Sequence, residues 1–216
     1  MNQIVLGALT AAAATTGQPN QRALAKQRTR EKILAAARRL FAERGYDGAT
    51  IRDIAKTAGM STGAVFASFT DKADLFGEIL EAEQAALRDA MRAALADRTG
   101  RAAILAMFDA AADLHMSELA LFQAAMGALW TPGLAAQLRR RLERRAITPM
   151  IAAAVKQDLG CREAVERIDA LQVAELLWEA YAAALRRAAA DGLTADAVKA
   201  QLRGPIATIL AGAGRS

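Results

Sequence analysis

Apolar residues along the first third of the chain recur at helical spacing. Ile33, Leu34, Ala37, Leu40 and Phe41 fall at i, i+1, i+4, i+7 and i+8, one face of a helix for which Gly45 supplies a stop. Ile51, Ile54, Ala55 and Ala58 repeat the pattern over a shorter stretch, from Ile51 to Ala58. Val65, Phe66 and Phe69 give a third short segment an apolar side, and Leu75, Phe76, Ile79 and Leu80 give one to a fourth. From Ala82 onward the pattern predicts long helices, broken at Gly100, at Thr131-Pro132-Gly133, near Gly160 and at Asp191-Gly192. No alternating run of Val, Ile or Thr predicts a strand. The predicted fold class is all-α.

Local chemistry punctuates the early segments. Thr50 is placed to cap the second helix, with Asp53 three residues on as its capping-box partner. Gly59 tolerates the left-handed conformation that ends helices, and Ser61 caps the third helix. Asp71 does the same for the fourth. Helix, glycine turn, helix is the helix-turn-helix unit, whose second helix enters the DNA major groove.

The flanks extend the pattern. Arg30, Ile33, Leu34, Ala36, Ala37, Leu40 and Phe41 are followed by Gly45 and Tyr46, then by Thr50, Ile54, Ala55, Ala58, Gly59 and Ser61, then by Phe69, Lys72 and Leu75. In that order these residues make positions 29–80 resemble the DNA-binding domain of TetR-family transcriptional regulators. The resemblance implies an N-terminal three-helix helix-turn-helix DNA-binding domain, followed by a larger helical ligand-binding and dimerisation domain. The corresponding division is a disordered tail over 1–20 (or a mis-set start), the DNA-binding domain over 21–80 and the helical body over 81–216.

The resemblance also implies a short recognition helix, Ser61 to Phe69, which here carries no charge. Thr62, Phe66 and Ser68 stand where the family often has a lysine, a tyrosine and a histidine or tyrosine. Thr62 and Ser68 are polar readers without the bidentate guanine contact of an arginine, and Ala64 and Ala67 reach only thymine methyls. Phe66 keeps the aromatic packing of its position but lacks the hydroxyl that would bond a phosphate, and it counts among the expected DNA contacts; Gly63 is expected to let the backbone lie close to DNA. Phosphate contacts are then expected to carry affinity: Lys72 first, with Thr50 and Arg52. Arg28 and Arg30 head an arm aimed at a neighbouring minor groove.

Charge agrees with an anionic partner. The net charge is +5, and from Arg22 to Arg44 eight basic residues face only Glu31 and Glu43. Double-stranded DNA, as a near-palindromic operator, is the expected partner of a homodimer. The last two predicted helices, Ala164 to Ala190 and Thr194 to Leu210 with a bend at Gly204-Pro205, are the candidate dimer interface, with Leu177 and Ile209 in it. Methionines and aromatics concentrated in the body make Met107, Phe108, His115, Phe122, Met126, Trp130 and Trp178 the candidate lining of an apolar small-molecule site. For each, plain core filling is the alternative.

One cysteine, Cys161, and one histidine exclude a disulfide framework and a cysteine metal cluster. No nucleophile elbow, phosphate loop or HExxH motif supports an enzyme, and no catalytic residue, metal site or cofactor is expected. No run is long and apolar enough to predict a membrane span, and a cytoplasmic setting is expected. Residues 3–14 have a signal-like apolar core, but no basic residue precedes them. The expected function is that of a dimeric repressor released from its operator by a small apolar ligand. The alternative is an inducer-free DNA-binding structural or nucleoid-associated protein.

Overall fold

The computed structural model describes residues 21–142, 147–159 and 169–213. The expected tail over 1–20, the break near Gly160, Cys161 and the start of the helix expected from Ala164 lie outside the described residues. Among the described residues the structure is ten helices and no strand. The head comprises α1 (Gln21–Gly48), α2 (Ile51–Thr57), α3 (Thr62–Phe66) and the start of α4 (Lys72–Leu95). The body continues with α5 (Gly100–Ser117), α6 (Leu119–Ala128), α7 (Pro132–Leu142), α8 (Thr148–Leu159), α9 (Ala170–Asp191) and α10 (Ala195–Ala213).

The helix ends follow the side chains at them. Thr50 Oγ1 accepts from Asp53 N–H at 3.1 Å, and Asp53 answers by accepting the Thr50 hydroxyl at 2.7 Å. After α2, Gly59 N–H donates to Lys56 O and Met60 N–H to Ala55 O, the paired bonds of a Schellman turn. That turn needs a left-handed residue, and Gly59 has φ 69°. Ser61 Oγ then accepts from Ala64 N–H at 3.2 Å, and Asp71 from Asp74 N–H at 2.7 Å, starting α3 and α4. The helical geometry of α1 breaks at Gly45, with φ 70° and ψ 177°. In the body α5 has no capping bond from Thr99. Asp158 of α8 caps it instead, accepting from Arg101 N–H at 2.7 Å.

Two apolar clusters hold these helices. The head cluster joins Ile33, Leu40 and Phe41 of α1 to Ile54, Val65, Phe69 and Phe76. It does not end with the head, because Leu121, Ala124 and Ala128 of α6 and Leu134 and Leu138 of α7 belong to it. α1 lies along α6, so the reading unit and the body share a packed seam. The body cluster runs through α4, α5, α8, α9 and α10, with Met91, Met107, Phe108 and Tyr181 at its centre.

Candidate nucleic-acid interface and body cavity

α3 is anchored from beneath and bare above. Val65 is completely buried and Phe69 nearly so, whereas Ser61, Thr62, Gly63 and Ala67 are exposed. Phe66 is 56% exposed, so it does not share the buried apolar side of Val65 and Phe69 and lies open on the face expected to meet DNA. Its ring stands out from the helix, where only a partner surface can cover it. α3 is also shorter than expected, ending at Phe66 with Ala67 as its C-cap. Ser61 spends its hydroxyl on the cap, Ala64 and Ser68 are half-buried, and Thr62 is left as the exposed hydroxyl on the helix.

Around α3 the cations divide into two kinds. Arg28, Arg52 and Lys56 are exposed, and Thr50 is exposed beside them at the α2 cap. Lys72 and Arg30 are turned inward. Lys72 Nζ donates to Tyr46 O at 2.9 Å and Ala49 O at 3.1 Å, and lies 4.2 Å from the Tyr46 ring centroid. Its ammonium ties the α1–α2 connection to α4, an internal role that the expectation of a phosphate contact did not include. Arg30 donates to Ser68 O at 2.7 Å, pairs with Glu78 and covers the Phe69 ring at 4.3 Å. It braces the end of the reading unit and does not belong to a free arm.

The body holds a cleft of about 220 Å³ between α4, α6 and α9. Of the seven candidate ligand residues, His115, Phe122, Met126 and Trp178 line it. Met107 and Phe108 do not: both are fully buried in the body core. Trp130, just after α6, is 88% exposed and is not part of the lining. Sequence reasoning missed Leu80, Gln84, Glu83, Glu118 and Tyr181 as lining residues. Glu83 sits on α4 and Glu118 at the break between α5 and α6, and in sequence both read as solvated polar residues.

The cleft's aromatic wall is a connected set. His115 lies 5.4 Å from Phe122 and 5.7 Å from Tyr181, and Trp178 lies 5.3 Å from Tyr181, centroid to centroid. A 2.6 Å hydrogen bond joins His115 Nδ1 to the Tyr181 hydroxyl. Burial pushes the His115 imidazole down to about 4 and the Tyr181 phenol well above its ordinary value. Both are therefore neutral at pH 7. Also in the lining, Glu83 and Glu118 both bind Arg38 of α1, Glu118 at 3.2 Å. Among the described residues no group of three or more His, Cys, Asp or Glu side chains is placed to hold a metal ion, and no single helix is long and apolar enough to cross a membrane.

The model of the bacterial regulatory proteins, tetR family, matches residues 33–79, the stretch that builds this capped helix-turn-helix. The N-terminal domain belongs to the tetR family. Over this tetR domain, the HTH-type transcriptional repressor AcnR of Corynebacterium diphtheriae is 55% identical across 47 residues, 22% of this chain and 25% of that protein. The chain thus spans about a quarter of the length of the curated relatives it matches. Fold likeness reaches further. A protein of Pseudomonas aeruginosa PAO1 has a TM-score of 0.69 at 20% identity, covering 94% of this chain and 97% of that one. FadR of Thermus thermophilus, a TetR-family transcriptional repressor solved in complex with lauroyl-CoA, has 0.64 at 24%, covering 85% and 94%. At these identities the likeness shows a shared fold, a tetR head followed by a helical body.

Proposed function

We propose that the chain is a sequence-specific DNA-binding transcriptional regulator, a homodimeric repressor that leaves a near-palindromic operator when a small, mainly apolar molecule enters the body cleft. The observation that carries it is the capped, uncharged α3, buried by Val65 and Phe69 and bare at Thr62 and Phe66, in a domain of the tetR family. Thr62 and the Phe66 ring meet base edges and thymine methyls. Arg28, Arg52, Lys56 and the backbone at Thr50 meet phosphates. The boundary between head and body lies near residue 80.

Two observations support dimerisation and induction. Leu171 and Leu176 of α9 are 41% and 58% exposed, apolar surface on one of the helices expected to pair. The cleft, and the small molecule bound by the Thermus neighbour, favour an inducer over the inducer-free reading. Selection of bound fragments from the source genome, followed by footprinting, tests the proposal. A few sites with two-fold symmetric footprints are expected. Binding spread over many unrelated sites without symmetric protection would replace it with the nucleoid-associated reading.

A further inference from the structure

Glu83 and Glu118 have two duties. Each lines the body cleft, and each holds Arg38, a residue of the head helix α1. Arg38 itself is not part of the lining, so one guanidinium answers two carboxylates from outside and leaves the cleft's polar end with a net negative charge. Apart from Gln84 and His115 the rest of the wall is apolar or aromatic, with Phe122 and Tyr181 each tilted against the His115 ring and Trp178 tilted against Tyr181. Carboxylates beside aromatic rings are the chemistry that recognises a desolvated ammonium. His115 stays neutral and adds no opposing charge.

We infer that the cleft takes an amphiphilic cation, an apolar body carrying an ammonium group, and that this cation releases the head by taking Glu83 and Glu118 away from Arg38. The inference rests on the reading of the cleft as the inducer site. Arg38 is suited to letting go. Its side chain is 34% exposed, so the freed guanidinium moves into water and is not stranded. Through Glu83 it reaches α4, and through Glu118 the cap of α6, the helix along which α1 packs. Since ligand and Arg38 compete for the same oxygens, the latch and ligand binding are mutually exclusive. Operator DNA, which holds the latched state, must then weaken ligand binding by the factor by which ligand weakens DNA binding.

Decylamine, decanol and decanoate share one chain length and differ in charge. A Trp130→Phe protein leaves Trp178 as the only tryptophan, so quenching reports the cleft. Decylamine is expected to quench at concentrations at least about tenfold below decanol, with decanoate weakest. Glu83→Gln and Glu118→Gln should each erase most of the advantage of decylamine over decanol measured on the same variant. Arg38→Met should bind decylamine more tightly and make DNA affinity insensitive to it. Arg38→Lys, which keeps one charge and guards against a folding artefact in Arg38→Met, should fall between. Equal or tighter binding of decanol or decanoate would overturn the cation while leaving the inducer site standing. Undiminished operator release by decylamine in both Arg38 variants would overturn the latch. Failure of all three probes to quench Trp178 would remove the inducer site, and this inference with it.

Discussion

Lys72 shows how one side chain changes its role once its surroundings are known. In sequence it is a cation at a helix start, a standard phosphate ligand. In the structure its ammonium satisfies two carbonyls and covers the Tyr46 ring. Lys72→Met should therefore cost about 1–3 kcal/mol of stability, the range for leaving such groups without a charged donor. Arg52→Ala should leave stability almost unchanged but reduce the slope of log K against log salt by about 0.9, one phosphate's worth. Urea melts and DNA titrations at several salt concentrations check both, and a salt slope that fell with Lys72→Met would return Lys72 to the phosphate contacts. Thr50, Ser61, Asp71 and Gly59 were legible because capping is a contest among near neighbours. Lys72 and Arg30 were not, because their partners lie 23 to 48 residues away in sequence. His115 carries a pH dependence of the same origin. Its proton is held less well folded, at about 4, than unfolded, at about 6.5, because of burial. The unfolded chain binds more protons across that window, so stability rises with pH there and is lost as pH falls from about 6.5 to about 4. The full loss is about 3 kcal/mol. Urea midpoints at pH 7 and pH 4.5 should differ for the native chain, and by clearly less for His115→Phe.

The elements of the head lie close to where periodicity and caps put them, because its helices are short and each end carries its own signal. In the body the glycine and proline breaks recur, with α7 starting at Pro132 and α9 ending before Gly192. The break at Glu118 was not legible: neither glycine nor proline marks it, and α5 ends where Ser117 Oγ donates back to Leu114 O. α8 starts at Thr148-Pro149, a proline in a first turn that the list of breaks passed over. Gly204-Pro205, where a bend is expected, lies inside α10, which continues through Pro205 to Ala213. Gly77 in α4 shows element packing deciding a residue. A Cβ there would lie 2.9 Å from Arg141 Cδ, while Arg141 is pinned by Asp74 and Glu81. Alanine gains about 1 kcal/mol of helix propensity over glycine but forces Arg141 off its partners, at about 1–3 kcal/mol. Gly77→Ala should be neutral to destabilising in the native background and stabilising by about 1 kcal/mol once Arg141 is also alanine. Thermal melts of the four proteins of that cycle decide it, and an unchanged sign would mean that Arg141 does not crowd the position.

At the scale of the molecule, periodicity marked which helices are apolar but not which of their faces the chain covers itself. Leu177 looked like an interface residue. In the structure it is fully buried in the body core, and Ile209 packs against the same core. Its neighbour Leu176 points outward, as does Leu171, because one step along a helix turns a side chain by about 100°. The same blindness hid the cleft, since Phe108 and Trp178 are alike in sequence and differ only in what stands opposite them. The proposed dimer is therefore tested on Leu171 and Leu176. Changing both to glutamate removes apolar surface that the lone chain leaves in water, so the monomer's stability should move by no more than about 0.5 kcal/mol. Leu177→Ala empties a core position and should cost about 2–5 kcal/mol whatever the oligomeric state. If α9 pairs with its copy, the double glutamate variant should sediment as a folded monomer. Its affinity for the selected operator should fall at least about tenfold, since two heads no longer bind as one unit. A double variant that stayed dimeric would move the interface away from this face of α9. A monomer that held the whole operator undiminished would remove the dimer from the proposed mechanism.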